Sequence, residues 1–177
     1  MKISRVWAMP SSETFSILPI RNFVFKYLNK SHISIDPFAR NFTSPTYTND
    51  LNPNTKAKYH LDSLNFLQIL KQKSIKADLV IFDPPYSPRQ IKECYEGIGL
   101  KMNGREALRT ASWKAEKDVI DQLLKPNGIF LWFNWNSAGM GQKRNYKILE
   151  ILLVCHGSGH NDTICMAEQK MPDLFNK

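Results

Sequence analysis

The feature that most constrains the fold is the mainly apolar run Ala77–Phe82, which ends abruptly in Asp83-Pro84-Pro85-Tyr86. Strands that are apolar on both faces occur where helices cover both sides of a parallel sheet. The run therefore predicts a central strand of an α/β protein. An acid and two prolines can end such a strand simply by forming a turn, so this stretch alone leaves turn formation and function open.

The segments around this strand alternate between helix-like and strand-like patterns. Helices are predicted over Ile20–Leu28, with Pro19 near the first turn, and after Asp62 as an N-cap. A third helix covers 114–125 and ends at Pro126-Asn127-Gly128. The other predicted strands are His32–Asp36, Thr46–Asp50, Ile129–Trp135, 146–156 and 162–170. The last two flank a glycine-rich turn and predict an antiparallel hairpin at the edge of an open, largely parallel sheet.

The composition narrows the classes of protein to which the chain can belong. Its 177 residues suit one domain, and no apolar run approaches the roughly 18 residues that span a membrane. The N-terminus has no continuous apolar core of a secretory signal, so we expect a soluble, cytoplasmic protein. Three cysteines without C-x-x-C spacing predict reduced thiols and no metal site. A net charge of +8 favours polyanionic partners, nucleic acid first.

Four acids come at or just after the ends of predicted elements. They are Asp36, Asp50, Asp62 and Asp83. In open α/β sheets, ligands bind outside the carboxyl ends of the strands, where the strand order reverses. An acid after the second strand suits hydrogen bonds to ribose hydroxyls. The sequence therefore predicts a ligand site at this edge of the sheet.

Asp83-Pro84-Pro85-Tyr86 after a buried strand resembles the DPPY motif of methyltransferases that modify the exocyclic amine of adenine or cytosine in DNA. Four other segments resemble the family's motifs in the same order: "ETFSILPIRNF", "IDPFAR", "TNDLNP" and "HLDSLNFL". The resemblance is strongest to small, single-domain adenine-specific enzymes of phage or bacterial type. It implies a Rossmann-like methyltransferase fold with a mostly parallel seven-stranded sheet. It also implies one domain over residues 1–177, without a separate target-recognition domain.

The resemblance assigns roles to residues and implies S-adenosylmethionine as the cofactor. The implied catalytic residues are Asp83, Pro84, Pro85 and Tyr86. The implied cofactor contacts are Met9, Pro10, Phe15, Pro19, Asp36, Pro37, Phe38, Asp50, Leu51, Asp62, Ser63 and Asp83. The sequence departs from the family's pattern D-P-F-x-G-x-G, because Arg40 and Asn41 stand where glycines are expected. Side chains there would restrict close approach of the backbone to the cofactor.

The DPPY residues have a chemical rationale. The exocyclic amine of adenine is a poor nucleophile, because its lone pair is delocalised into the ring. Two acceptors that bind both amino hydrogens, Asp83 and the Pro84 carbonyl, would aim that lone pair at the methyl group. The prolines fix the backbone and remove donors. Tyr86 offers a stacking surface for a base that is flipped out of the duplex.

Basic residues follow the motif and predict contacts to DNA phosphates. The predicted DNA-binding residues are Arg89, Lys92, Lys101, Arg105, Arg109, Lys143 and Arg144. Interspersed glutamates leave a solvated helix face as the alternative. His156 and His160 flank the hairpin turn, and we expect them to face DNA, since two histidines alone make a poor metal site.

Three functions are compatible with the sequence. The first is methylation of adenine in DNA, with the cytosine amine as a variant of it. The second is the same chemistry on RNA. The third is a non-enzymatic nucleic-acid-binding module that kept the fold but lost tight cofactor binding through its glycine-poor first motif.

Overall fold

A computed structural model describes residues 1–157 and 159–172, with the backbone but not the side chain of Arg109. It contains seven strands, five α-helices and one short 3-10 helix, Thr14–Ser16. The strands are β1 Lys2–Trp7, β2 Ser34–Asp36, β3 Tyr47–Thr48, β4 Ala77–Phe82, β5 Leu124–Asn134, β6 Tyr146–Cys155 and β7 Thr163–Lys170. The helices are α1 Leu18–Leu28, α2 Ser63–Gln72, α3 Pro88–Glu96, α4 Gly104–Thr110 and α5 Lys114–Leu123.

The strands form one sheet in the order β1-β6-β7-β5-β4-β2-β3. Strand β7 lies between β5 and β6 and is antiparallel to both, whereas every other neighbouring pair is parallel. The predicted fold class is confirmed: a seven-stranded, mostly parallel sheet with an antiparallel C-terminal hairpin. Strand β2 has β3 on one side and β4 on the other, so the strand order reverses between β2 and β4.

The predicted central strand separates two hydrophobic cores. Successive side chains of a strand point to opposite faces, so Val80 and Phe82 enter one core while Leu79 and Ile81 enter the other. Helices α2 and α5 contribute to the first core and α1 to the second. All four side chains are almost completely buried, which explains why the run is apolar at these successive positions.

The structure differs from the sequence prediction in several places. Strand β1 was not predicted, because it is an edge strand whose apolar residues Ile3 and Trp7 are exposed. The polar stretch Ser87–Lys117, in which the sequence predicted no helix before residue 114, contains α3 and α4. The helix over 114–125 ends at Leu123, because β5 begins at Leu124 and pairs with Ala77 before a register shift. The thiols of Cys94, Cys155 and Cys165 are free, as predicted.

Residues 137–141 lie on the first core and provide a test of its packing. Gly139 has φ 47°, and a Cβ there would overlap the Glu168 carboxylate and the Met166 methyl group. Gly141 has φ 81°, but a Cβ there would meet only Arg144 Nη1, at 3.9 Å. Gly141→Ala should therefore cost about 1–2 kcal/mol for the backbone alone. Gly139→Ala should cost about 1–3 kcal/mol more, since the Glu168 bond to the Met140 amide must also give way.

Denaturant unfolding of both variants measures this difference. Equal losses of unfolding free energy would contradict the described packing of residues 137–141 against β7.

Candidate active site

A cleft of about 790 Å³ lies outside the carboxyl ends of β2, β3, β4 and β5. Its volume is within the usual range for cofactor and ligand sites. The N-terminal segment before α1 forms one wall, and α3, which begins two residues after Tyr86, forms another. A second, smaller cavity of about 350 Å³ adjoins it, and both cavities share Thr14, Phe38, Arg40, Asn41 and Asp83 as lining residues.

The cleft collects most of the residues that the sequence singled out. The predicted residues that line it are Pro10, Pro37, Phe38, Asp50, Leu51, Asp62, Ser63, Asp83, Pro84, Pro85 and Tyr86. Four others do not line it. Met9 is 82% exposed, Pro19 lies in the first turn of α1, and Asp36 is completely buried. Phe15 packs against Phe42 and Phe133 and lines only the second cavity.

Asp83 and Tyr86 are joined directly. The Tyr86 hydroxyl donates to Asp83 Oδ1 at 2.6 Å, and Thr14 borders the same two cavities as Asp83. Burial raises the pKa of Asp83 to about 6, although the bonds from Tyr86 and Thr14 and the charge of Arg40 oppose this rise. A carboxyl group of this kind is ionised near neutral pH and becomes a proton acceptor of useful strength. Sequence reasoning assigned only a stacking role to Tyr86 and missed Thr14.

Asp36 is the buried carboxyl beneath the cleft. Its Oδ1 accepts from the Phe38 amide at 3.0 Å, and its Oδ2 has no hydrogen-bond partner in the described part of the chain. Burial raises the pKa of Asp36 well above its ordinary value, and the nearby charge of Asp83 adds to this rise. A buried acceptor without a partner is costly, and a cationic ligand group above Pro37 and Phe38 would relieve that cost. The site thus fits a positively charged cofactor.

Asp50 and Asp62 occupy the wall of the cleft formed after β3. Asp50 accepts from the amides of Asn52 at 2.8 Å and Arg40 at 3.2 Å, while burial raises its pKa. Asp62 caps α2 through the Leu64 amide at 3.0 Å and accepts a short bond from the Tyr95 hydroxyl. The Ser63 hydroxyl turns away to Glu116, at 3.2 Å. This wall therefore offers a ligand the carboxylates of Asp50 and Asp62 and the N-terminus of α2. It does not offer the Ser63 hydroxyl.

Asn49 ties the loops of this wall together, and sequence reasoning missed it. Its Nδ2 donates to the carbonyls of Pro37 at 3.1 Å and Leu61 at 2.9 Å. Its Oδ1 accepts from the Leu61 amide at 3.0 Å. One buried amide thus joins the loop after β2 to the loop before α2. A polar residue just after a two-residue strand is a weak signal, and only the fold shows both partners.

Aromatic and histidine side chains form the wall opposite α2. The rings of Tyr86 and Trp135 meet edge to face, with centroids 5.5 Å apart, and Trp135 is 41% exposed. His156 bonds to the Ala8 carbonyl at 2.8 Å and to the Thr163 hydroxyl at 2.9 Å. Both His156 and His160 line the cleft, and no group of metal-ligating side chains exists among the described residues. This wall is suited to a flat, apolar ring.

The loop after β2 accommodates a side chain where the family's pattern has glycine. Counted from Asp36, the two glycine positions are those of Arg40 and Phe42, so the assignment of Asn41 to one of them was wrong. Arg40 has φ 48°, the left-handed conformation that glycine adopts easily. Its backbone therefore follows the course expected of the pattern, while its guanidinium bonds to the Ser12 carbonyl and Glu13.

The predicted DNA-binding residues occupy two separate regions. Arg89 and Lys92 lie on α3 and pair with Glu93 at 2.7 Å and Glu96 at 3.5 Å. Lys101 and Arg105 are exposed, and no ion pair involves them within the described part of the chain. The side chain of Arg109 lies outside the described residues. These positions, close to one wall of the cleft, stay predicted phosphate contacts.

Lys143 and Arg144 lie far from the cleft. They precede β6, which runs parallel to β5 because β7 is antiparallel to both, so β6 begins at the opposite end of the sheet. Lys143 is exposed. Arg144 donates to the Met140 carbonyl at 2.6 Å and pairs with Asp118. The structure therefore gives Arg144 an internal role and does not bring either residue to the DPPY turn.

Neither a protein-family profile nor a curated protein sequence matches the chain. Solved structures do match it. One is SMU.776, assigned as a methyltransferase and solved with S-adenosylhomocysteine, with a TM-score of 0.57, 12% identity and coverage of 84% of this chain and 49% of that one. A protein assigned as an S-adenosylmethionine-dependent methyltransferase from Streptococcus mutans has a TM-score of 0.56, 11% identity and coverage of 84% and 48%.

A third match is TrmN from Thermus thermophilus, with a TM-score of 0.55, 11% identity and coverage of 88% of this chain and 49% of that one. The chain spans about half the length of these solved structures. It therefore has the fold of S-adenosylmethionine-dependent methyltransferases. The predicted cofactor agrees with these neighbours. No helix of the described residues is both long and apolar enough to cross a membrane.

Asn49→Ala tests the bridge between the two loops. The variant leaves the Leu61 amide and two carbonyls without their partner, so the free energy of unfolding should fall by about 1–3 kcal/mol. Asn49→Asp keeps the acceptor but loses the donor, and it should fall between wild type and Asn49→Ala near pH 5. Denaturant unfolding measures both. If Asn49→Ala is as stable as wild type, the amide does not hold the loops.

Asp83→Asn tests the burial of the Asp83 carboxylate. Because the folded pKa, about 6, exceeds the ordinary 3.8, the folded state binds the proton more tightly, and stability is lost as pH rises through this window. Asparagine is uncharged and still offers an oxygen to Tyr86. At pH 8 the free energy of unfolding of the variant should therefore exceed that of wild type by about 1–3 kcal/mol. This gain in stability should vanish below pH 3.8.

Asp78→Asn is the control of opposite sign. Despite the opposing effect of burial, the Lys125 ammonium and the Ile33 and His32 amides lower the pKa of Asp78. The Asp78 carboxylate thus stabilises the folded protein at neutral pH, and this contribution is lost as pH falls below the ordinary pKa of 3.8. Thermal melts across pH should separate the two variants. An Asp83→Asn variant that is destabilised at pH 8 would refute the described environment.

Proposed function

We propose that this protein transfers a methyl group from S-adenosylmethionine to the exocyclic amine of adenine in DNA. The observation that carries the proposal is the Asp83–Tyr86 turn at the end of β4. There Asp83, with its pKa raised to about 6, borders both cavities and accepts from the Tyr86 hydroxyl. Asp50 and Asp62 line the same cleft at the switch point of the sheet. This combination of acceptors and an aromatic surface suits an amine-bearing base beside a nucleoside cofactor.

The cofactor, when bound, supplies an electrophilic methyl group on a positively charged sulfur. Asp50, after β3, is in place to accept hydrogen bonds from ribose hydroxyls. Asp62 and the first amides of α2 lie further along the same wall and suit the adenine ring. The buried carboxyl of Asp36, with one unpaired oxygen, lies beside the turn Pro37–Phe38 and would favour the cationic part of the cofactor at this end of the cleft.

The target base is proposed to lie between the DPPY turn and the aromatic wall. Asp83 and the Pro84 carbonyl accept the two amino hydrogens and aim the nitrogen lone pair at the methyl carbon. The bound cofactor would supply the methyl group to this nitrogen and would keep the electron pair of the carbon–sulfur bond. Asp83 or water then takes one proton from the methylated nitrogen. Tyr86 and Trp135 exclude water and hold the ring.

Nucleic acid is the partner that this geometry favours. A base enters such a cleft only after it is flipped out of a helix or when it is unpaired. The exposed cations Lys101 and Arg105 stand beyond α3 and carry no ion pair in the described part of the chain, so they are free to meet phosphates. We propose that residues 1–177 act as one methyltransferase domain.

Labelled-methyl transfer tests the proposal. Wild-type protein should transfer methyl groups from S-adenosylmethionine to DNA, and mass spectrometry of the digested nucleosides should find N6-methyladenine. Asp83→Ala and Asp83→Asn should abolish transfer in folded protein, because the amide presents a donor where an acceptor is needed. Tyr86→Ala should lose most activity with its stacking surface.

Tyr86→Phe separates the ring of Tyr86 from its hydroxyl. The ring is kept, but Asp83 loses a donor that lowers its pKa, so that pKa should rise above about 6. Transfer should be near wild type at pH 8.5 and fall more steeply than wild type between pH 7.5 and 6. A pH profile of the transfer rate measures this shift.

The assay also decides between the alternatives. Methylcytosine in place of methyladenine would redirect the proposal to the other amine, and transfer to RNA alone would redirect it to RNA. Cofactor binding without transfer to either polymer, or no cofactor binding at all, would reject the enzymatic proposal. Near-wild-type transfer by Asp83→Asn would show that Asp83 only forms the turn.

A further inference from the structure

Arg40 occupies an unusual place in the cleft. It stands at a glycine position of the pattern and has φ 48°, which side-chain-bearing residues rarely adopt. Its side chain is half exposed and borders both cavities. A residue kept in this conformation needs contacts that compensate for the strain.

The contacts of Arg40 join three parts of the chain. Its backbone amide donates to Asp50 Oδ2 at 3.2 Å, at the turn after β3. Its guanidinium donates to the Ser12 carbonyl and pairs with Glu13 Oε1 at 3.4 Å. The neighbouring Asn41 adds a bond from Nδ2 to the same Glu13 oxygen, at 3.3 Å. The loop after β2 therefore holds the segment 11–16, which we call the N-terminal strap.

The strap delivers Thr14 to the reaction centre. Thr14 borders both cavities together with Asp83, and its side chain lowers the pKa of Asp83 and of Tyr86. The 3-10 turn that contains Thr14 has no buried residue and no side-chain cap. Apart from internal bonds of Ser16 to Ser11 and Glu13, the strap is anchored by the Phe15 ring and by Arg40 and Asn41. The position of Thr14 therefore depends on contacts that the loop after β2 provides.

We propose that Arg40 is a positioning residue that holds the N-terminal strap, and with it Thr14, against Asp83. This inference rests on the proposed function of Asp83 as the acceptor of the target amine. A glycine at this position would contribute only its backbone conformation. Arg40 adds a side chain that links the loop after β2 to the N-terminal strap and closes this side of the cleft. Its positive charge also faces Asp83 and favours the ionised carboxylate.

The charged and titratable groups that act on Asp83, or respond to it, come from every element packed around it. They are Glu13, Asp36, Arg40, Tyr86 and Cys165. Glu13 opposes ionisation of Asp83, and Tyr86 and Arg40 favour it, while the charge of Asp83 in turn raises the pKa of Asp36. The Cys165 thiol is kept neutral by burial and by the charge of Asp83. Removal of Arg40 therefore leaves a surplus of acids, and the pKa of Asp83 should rise.

The test compares Arg40→Gly, Arg40→Lys and the control Ser74→Gly. Ser74 also has positive φ, 55°, but follows α2 and does not line the cleft, so it reports the effect of glycine alone. Carbon NMR titration of Asp83 and hydrogen exchange of the Thr14 and Ser16 amides are measured without substrate. In Arg40→Gly, the Asp83 pKa should rise by about 0.5–1 unit and the two amides should exchange at least tenfold faster.

Arg40→Lys separates charge from bridging. The variant should keep the Asp83 pKa within about 0.3 units of wild type, because a positive charge is still present. The two amides should nevertheless exchange faster, because one ammonium cannot bind both the Ser12 carbonyl and Glu13. Ser74→Gly should change neither readout. Should Arg40→Gly fail to fold, Arg40→Lys still tests the link by exchange.

Activity provides the second readout. The acid limb of the transfer rate should move to higher pH in Arg40→Gly by the same amount as the NMR pKa. Unchanged exchange at Ser16, whose amide donates to the Glu13 carbonyl, in both Arg40 variants would overturn the positioning role. A wild-type protein that shows the Asp83 titration and the strap protection but transfers no methyl group would instead overturn the proposed function and leave the link itself intact.

Discussion

The pairing of β2 between β3 and β4 is the constraint on which the rest of the site depends. It brings the ends of three parallel strands to one edge, so that the loops after them must share a small volume. The buried backbone groups of such loops need partners, because water does not reach them. Asn49 supplies partners to two loops at once, and Asp50 supplies them to the amides of Arg40 and Asn52. The same side chains that satisfy the loops therefore shape the walls of the cleft.

The electrostatics of the cleft follow from this crowding. Asp36, Asp50 and Asp83 all have raised pKa values, and burial is the first cause in each. The protein limits the rise at Asp83 by donors from Tyr86 and Thr14 and by the Arg40 charge. It leaves one oxygen of Asp36 without a partner. Each buried carboxylate lowers the stability of the folded protein, so stability alone does not explain why several acids lie close together. A cationic ligand gives the arrangement a physical purpose.

The two walls of the cleft serve different chemistry. The wall after β3 is polar and rigid, and it is braced by the N-terminus of α2 and the Tyr95 hydroxyl on Asp62. The opposite wall consists of the rings of Tyr86 and Trp135 and the hairpin histidines. Helices α3 and α4 continue from the DPPY turn and carry cations at their exposed positions. The carboxylates of the polar wall and the rings of the opposite wall thus border one cleft, and the cations of α3 and α4 follow the DPPY turn in the chain.

The sequence by itself determined the class of fold and most of the residues that line the candidate site. Three features were found from residues that are close together in the chain. They are the apolar run Ala77–Phe82, the hairpin near the C-terminus and the order of the acids. The Asp83–Tyr86 motif was found in the same way. Strand β1 and helices α3 and α4 were not predicted, because their residues are mostly exposed and their hydrophobic patterns are weak.

Only the tertiary structure decided which of those residues meet. Asn49 reaches Leu61, Thr14 reaches Asp83, and Arg40 reaches Ser12 and Glu13, over sequence distances that no local pattern encodes. The direction of β7 also placed Lys143 and Arg144 at the end of the sheet away from the cleft, although their composition resembles that of a phosphate-binding loop. The physical reason is the same in each case. Hydrogen bonds and charges act across a few ångströms of space, and the packing of the sheet sets which distant segments come that close.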